Sequence, residues 1–198
     1  KNAKAVVRWL KDSGRTENQI NNALFAVTAN IPAAREFGVK EENIFPFWDW
    51  VGGRYSVWSA VGLPIALQYG FETFKEFLAG AQAMDRHYQT APLEENVPVI
   101  MALALLYQQQ KHNIKSFAVI PYADALDWFP KWLQQLDMES NGKNVGRDGK
   151  PVQYSCPVVF GSSGSNAQHS YFQLLHQGTE VIPIDFIAIR EPMSHLPE

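Results

Sequence analysis

The chain has 198 residues, nearly half of them apolar, enough for one large or two small domains with a sizeable core. Its formal net charge is −3 and no run of lysines or arginines occurs, which argues against nucleic acid or an anionic membrane as partner. No apolar stretch reaches transmembrane length, no signal-peptide pattern opens the chain, and a single cysteine, Cys156, excludes an intrachain disulfide and fits a reducing, cytoplasmic compartment.

In chain order, Ala3, Val6, Val7 and Leu10 share one helical face, and the pattern ends near Gly14. Thr16 and Gln19 have the spacing of a capping box for a short second helix. Leu24–Thr28 reads as a buried strand, Asn30 with Pro32 as the start of a helix over Ala33–Phe37 closed by Gly38, and Asn43–Phe47 as another short strand. A helix is expected from Ser56 towards Gln68, kinked at Pro64. Phe71–Tyr88 is a long amphipathic helix that turns Phe74, Phe77, Leu78, Ala81 and Met84 towards a core.

Pro92–Pro98 breaks the pattern and marks a boundary between two units, 1–92 and 93–198. Val99–Tyr107 is apolar nearly all round and predicts a buried helix. Ser116–Ile120 is a buried strand, Asp124–Leu136 a helix despite Pro130, and Lys143–Pro151 a turn or hairpin. Pro157–Phe160 is a strand, Gly161–Ser165 a loop, Asn166–Gln177 a helix closed by Gly178, and Val181–Ile187 a final strand. Short apolar strands alternating with helices predict an α/β protein with parallel sheets. The helical pattern is already under way at Lys1, and Glu198 follows a Pro-rich tail. Both ends therefore read as cut, and the chain as a piece of a longer enzyme.

Three segments carry candidate chemistry. Trp48-Asp49-Trp50-Val51-Gly52-Gly53-Arg54-Tyr55-Ser56-Val57-Trp58 places an arginine after two glycines among large rings. Glycines permit close backbone approach, and a guanidinium held there offers fixed donors to an anionic oxygen. Taken alone, Gly-Gly-Arg reads as a tight turn between a strand and a helix, with Arg54 paired to a surface carboxylate. Asp137-Met138-Glu139-Ser140-Asn141-Gly142-Lys143 lies where a helix ends at a turn. A carboxylate there is either a solvated acid or a base able to abstract a proton. Gly161-Ser162-Ser163-Gly164-Ser165-Asn166-Ala167-Gln168-His169 is a polar loop entering a helix, with His169 in its first turn. It is neither a P-loop nor a nucleophile elbow. His176 falls seven residues on, a poor step for a metal pair, so no metal is expected. Cys156 reads as a small buried hydrophobe. In parallel sheets ligands bind beyond the carboxyl ends of strands, and all three segments are expected there.

Asp49–Trp58, continued by Ser59-Ala60-Val61-Gly62-Leu63, resembles the signature of the glucose-6-phosphate isomerase (phosphoglucose isomerase) family. Asp137–Lys143 resembles that family's Asp-Met-Glu-Ser-Asn-Gly-Lys segment, and Ser165–Gly178 its Gly-Thr-Asn-Gly-Gln-His segment. The three stand in the family's order and spacing, and the likeness runs over essentially the whole chain.

The resemblance implies a three-layer αβα fold of sugar-isomerase (SIS) domains: the end of a first domain with its connecting helices over 1–92, and the start of a second over 93–198. It implies an aldose–ketose isomerase that interconverts glucose 6-phosphate and fructose 6-phosphate through a cis-enediol, in glycolysis and gluconeogenesis, with no cofactor or metal. By resemblance Glu139 is the base that moves the proton between C2 and C1. Arg54 lies beside the developing negative oxygen, and His169 assists ring opening in the site of the partner subunit of a homodimer. Gln135 contacts the sugar, and Gly53 lets the backbone approach it. Ala167 stands where the family usually has glycine, and Gly161–Gly164 departs from the Gly-Glu-Pro-Gly of some members. The family's phosphate-binding loop would precede Lys1 and its catalytic lysine would follow Glu198, so the isolated chain is expected to be inactive. The alternative is a non-catalytic SIS-type module that senses sugar phosphates; it would have no need of Glu139.

Overall fold

A computed structural model describes residues 2–190. They form two units, divided between Arg86 and His87. In the first, α1 (Asn2–Asp12) stops ahead of Gly14, whose φ of +83° suits a residue without a Cβ. The capping box forms as the sequence predicts. Gln19 N–H donates to Thr16 Oγ1 at 3.3 Å and Thr16 N–H to Gln19 Oε1 at 3.0 Å, opening α2 (Glu17–Ala23). Ile20 of α2 is almost fully buried, worth roughly 1.5–3 kcal/mol against exposure.

β1 (Ala26–Thr28) pairs in parallel with β2 (Ile44–Pro46), Ala26 opposite Ile44. The crossover between them holds α3 (Ile31–Glu36), capped by Asn30 Oδ1, which accepts from Ala33 N–H at 3.1 Å. After β2 the chain departs from the expected helix. Two short 3₁₀ turns, Gly53–Trp58 and Ala60–Gly62, precede α4 (Leu63–Tyr69). Pro64 sits in the first turn of α4 and does not kink it, because an N–H missing there had no intrahelical partner to lose. The tight path requires Gly62, where a Cβ would collide with the Val57 carbonyl and the Phe74 ring. α5 (Phe71–Thr90) buries Phe74 as predicted, but Met84 stays half exposed.

In the second unit α6 (Val97–His112) is capped by Asn96, which accepts from Val99 N–H and donates to the Tyr88 carbonyl. The buried helix expected at Val99–Tyr107 is not buried here: Leu103 is 60% and Tyr107 58% exposed. Its composition is apolar all round, yet within the described residues cover reaches one flank only.

Three parallel strands follow in the order β4-β3-β5: β3 (Ser116–Tyr122), β4 (Val158–Phe160) and β5 (Ile184–Ala188). Between β3 and β4 run a 3₁₀ turn (Asp124–Leu126), α7 (Phe129–Gln134), a π-helical turn (Gln135–Glu139), and a hairpin bridged at Val145 and Pro151. Pro130 opens α7 and does not interrupt it. Between β4 and β5 lie α8 (Gly164–Ser170) and α9 (Phe172–Gln177). The single helix expected over Asn166–Gln177 is broken at Tyr171, where φ of −144° leaves the helical region.

Alternation along β3 sorts the layers. Ala118 and Ile120, both fully buried, pack with Ala167 of α8 and with Tyr171, Phe172 and Leu175. Phe117 and Val119 face the other way, onto a cavity of 690 Å³ closed by α6 and α7. The unit is therefore an α/β/α sandwich about a central strand buried on both faces, and the predicted class, α/β with parallel sheets flanked by helices, is what forms.

Candidate active site

Arg54 lies in the first unit, just beyond β2, on the 3₁₀ turn Gly53–Trp58. Gly52 is extended, and Gly53 adopts φ +61°, the left-handed region that favours glycine. A Cβ at Gly53 would meet nothing within 4 Å, so the dihedral is the reason for glycine and the space over its backbone is open. Ser56 Oγ donates to the Gly53 carbonyl at 2.7 Å and closes the turn. Ahead of it the indoles of Trp48 and Trp50 stack 5.3 Å apart. Arg54 itself is half-buried, with its Nη2 out of solvent contact.

Gln135 and Glu139 lie in the second unit, at the two ends of the π-helical turn, with both side chains reaching solvent. The sequence places Glu139 on a turn; the structure places it in a helix, because α7 runs on through the wider π turn as far as Asn141. Such insertions are frequent at functional sites. The end of the helix is secured from several sides. Lys143 Nζ donates to the Glu139 and Ser140 carbonyls, each at 2.8 Å, satisfying acceptors the helix leaves open. Asn141 Nδ2 donates to Asp137 at 2.7 Å, and Ser155 Oγ to the Asn141 carbonyl at 2.8 Å. Gly142 N–H reaches the Met138 carbonyl at 2.9 Å, an approach at which a Cβ would collide with that oxygen.

Burial, together with the Asp137 carboxylate, pushes the Cys156 thiol up from its ordinary range. Cys156 is half-buried and not the fully buried residue the sequence suggests.

His169 is exposed and lies in the last turn of α8, not the first, because α8 begins two residues before the predicted start. The break at Tyr171 also puts His169 and His176 on separate helices; the latter packs edge-on against Phe172. Among the described residues no group of three or more His, Cys, Asp or Glu is placed to hold a metal ion. α8 is seated by Tyr122 at the carboxyl end of β3. Gln168 Nε2 donates to Tyr122 Oη at 3.0 Å, and a Cβ on Gly164 would drive into the Tyr122 ring.

The shared location at the carboxyl ends of the strands needs correction for Glu139. α7 and the π turn run back along the sheet, so Met138 meets Val159 in the middle of β4 and Asn141 meets Ser155, ahead of that strand. Glu139 therefore belongs to the face with Phe117 and Val119, and His169 to the helix on the face with Ala118 and Ile120. Tyr122 and Lys143 were missed as supports. The glycine at 164 and the four-residue step from Glu139 to Lys143 were the available signals.

Comparison with known proteins shows the family. The family model for phosphoglucose isomerase matches residues 1–195. A glucose-6-phosphate isomerase of Cupriavidus metallidurans is 47% identical over 197 residues, covering 99% of this chain and 36% of that protein. One of Pseudomonas savastanoi pv. phaseolicola is 53% identical over 188 residues, covering 94% of this chain and 34% of that protein. The crystal structure of a glucose-6-phosphate isomerase from Chlamydia trachomatis superposes with a TM-score of 0.85 at 36% identity, over 93% of this chain and 35% of that one. The chain thus spans about a third of the length of these relatives. With the match running from the first residue almost to the last, over an α/β fold that superposes on a solved member, the chain belongs to the phosphoglucose isomerase family.

Proposed function

We propose that the full-length polypeptide carrying this chain is a cytoplasmic, homodimeric glucose-6-phosphate isomerase of glycolysis and gluconeogenesis. The family match over residues 1–195 carries this reading. The two units are read as the end of one SIS domain and the start of another. Among the described residues no helix is long and apolar enough to cross a membrane.

The chemistry follows from three groups. Glu139 lifts the proton from C2 of the open-chain sugar and returns it to C1, a task for a single carboxylate held at fixed reach. The charge that collects on the neighbouring oxygen is met by Arg54, a preorganised cation worth several kcal/mol in such a transition state. His169 exchanges protons with the ring oxygen and the anomeric hydroxyl on ring opening, work for an imidazole, whose two nitrogens can donate and accept. Gln135 and the Gly53 backbone orient the sugar. The separation of Glu139 and His169 on opposite faces of the sheet supports the reading that His169 of one copy serves the site of the other. The isolated chain, a third of the length of its relatives, is expected to have no isomerase activity.

The test uses two full-length variants, Glu139→Gln and His169→Ala, each inactive in isomerisation alone. Coexpressed and assembled as mixed dimers, they place one intact Glu139 and one intact His169 in the same site, and activity returns. Mixed dimers that stay dead would rule out the shared site. C2 proton exchange surviving in Glu139→Gln would remove Glu139 as the base and reopen the reading as a sugar-phosphate sensor.

A further inference from the structure

Among the described residues β4 lies at an edge of its sheet. Its pairing with β3 sets Phe117 opposite Val159, and Val158 N–H turns inward to the Lys115 carbonyl at 2.8 Å. The N–H and C=O of the next residue, Val159, therefore point outward, where an uncovered strand edge would leave them to water or to another chain. Both are taken by the helix that carries Glu139. Gln134 Nε2 donates to the Val159 carbonyl at 3.0 Å, and Val159 N–H donates to the Met138 sulfur at 3.3 Å. Val159 is itself buried, so these groups have little recourse to solvent.

Gln134 is the last residue of α7, and Met138 is the residue before Glu139 in the π turn. One peptide of the sheet is thus gripped at both polar atoms by side chains that bracket the turn. Successive residues in an α-helix point about 100° apart, and somewhat less in the wider π turn, so fixing the direction of Met138 fixes that of Glu139. On the far side Gly142 N–H and Lys143 hold the helix end. A thioether is a weak acceptor and an ordinary packing residue would be any hydrophobe, but only a chain with an acceptor at its δ position satisfies this amide.

We infer that Gln134 and Met138 are positioning residues, which lock the π turn to the Val159 peptide and thereby aim the Glu139 carboxylate at the carbon from which it takes the proton. The inference rests on the reading of Glu139 as the base. Neither residue touches substrate; each acts through the turn.

The experiment compares Met138→Leu, which keeps volume and removes the sulfur, with Gln134→Leu in the full-length enzyme. Isomerisation and C2 proton exchange are measured beside ring opening of the same sugar phosphate, with hydrogen exchange of the Val159 amide as a readout independent of activity. The expected result is faster exchange at Val159 in Met138→Leu. In both variants kcat for isomerisation falls by about 10- to 100-fold, as for a reacting group displaced by a fraction of an ångström to one ångström, while KM and ring opening stay at wild-type values. Wild-type kcat in both variants would overturn the inference and leave Glu139 in place. So would a fall of isomerisation and ring opening together with a rise in KM, which reports general loosening. Isomerisation persisting in Glu139→Gln would overturn the base assignment and the inference with it. If Gln134→Leu does not accumulate as folded enzyme, Met138→Leu alone decides.

Discussion

The segments that carry Glu139 and His169 are built from the same sheet by different means. Glu139 lies near the end of a helix held by directional contacts: two to the Val159 peptide, two from Lys143 to helix carbonyls, and one from Ser155 to Asn141. His169 ends a helix of under two turns seated by packing, with Ala167 buried against Ala118 and Ile120 and Gly164 pressed to the Tyr122 ring. The role proposed for Glu139, reaching one carbon, needs a fixed direction, which hydrogen bonds set well. A helix that presents a side chain outward from the fold needs a firm seat, which close packing supplies.

The largest effect separates the two in chemistry. In the full-length enzyme Glu139→Gln is expected to lower isomerisation by about 10²–10⁴-fold, the usual worth of general acid–base help, and to spare ring opening. His169→Ala is expected to impair ring opening more than C2 proton exchange. Parallel rates for sugar supplied already open-chain would sharpen the division; equal losses in both assays for both variants would erase it.

Next in size are the tests of the seat. Gly164→Ala should destabilise the chain by about 1–3 kcal/mol, the range for overpacking, since the new methyl meets an aromatic ring flanked by strand. Tyr122→Phe removes the acceptor of Gln168 Nε2 at an exposed hydroxyl and should cost about 1 kcal/mol or less. Urea unfolding of the two variants ranks them. If Tyr122→Phe proved the costlier, α8 would be held by its hydrogen bond and the contrast with the Glu139 segment would fail.

The smallest effect concerns the cavity face. Burial raises the Asp185 carboxyl above its ordinary range. The folded state then binds that proton more tightly than the unfolded chain does. Stability from this group is present at low pH and is lost as pH rises from the ordinary carboxylate range through the raised value. Asp185→Asn should flatten this decline in a series of thermal midpoints against pH. An unchanged slope would show that Asp185 is solvated in the folded chain.

Local signals carried far in this sequence. The Thr16–Gln19 capping box, the Asn30 cap, the stops at Gly14 and Gly38, and every strand were legible, because each depends on a few adjacent residues. The errors came where a residue's place within its helix, or a distant contact, overrode the expected pattern. Pro64 and Pro130 open helices and do not bend them, since the chain before each is committed to 3₁₀ turns. Tyr171 breaks a helix whose apolar period is continuous, while its hydroxyl lies 3.1 Å from Ser162 Oγ and its ring packs on Phe160. The apolar composition of α6 foretold burial that the described residues of this chain do not supply.

The sequence by itself determined the family and the order of the three candidate groups, because Gly-Gly-Arg among aromatic rings, the Glu-Ser-Asn-Gly-Lys run and the His169 segment are covalent facts in a fixed order. It also determined the class, since strand and helix periods alternate along the chain. The tertiary structure alone decided where those groups point. It turned the Glu139 helix back along the edge of the sheet, widened its last turn and tied it to Val159, and it set His169 on a helix of the opposite face. Direction in space is fixed by contacts between residues far apart in the chain, and no local pattern records them.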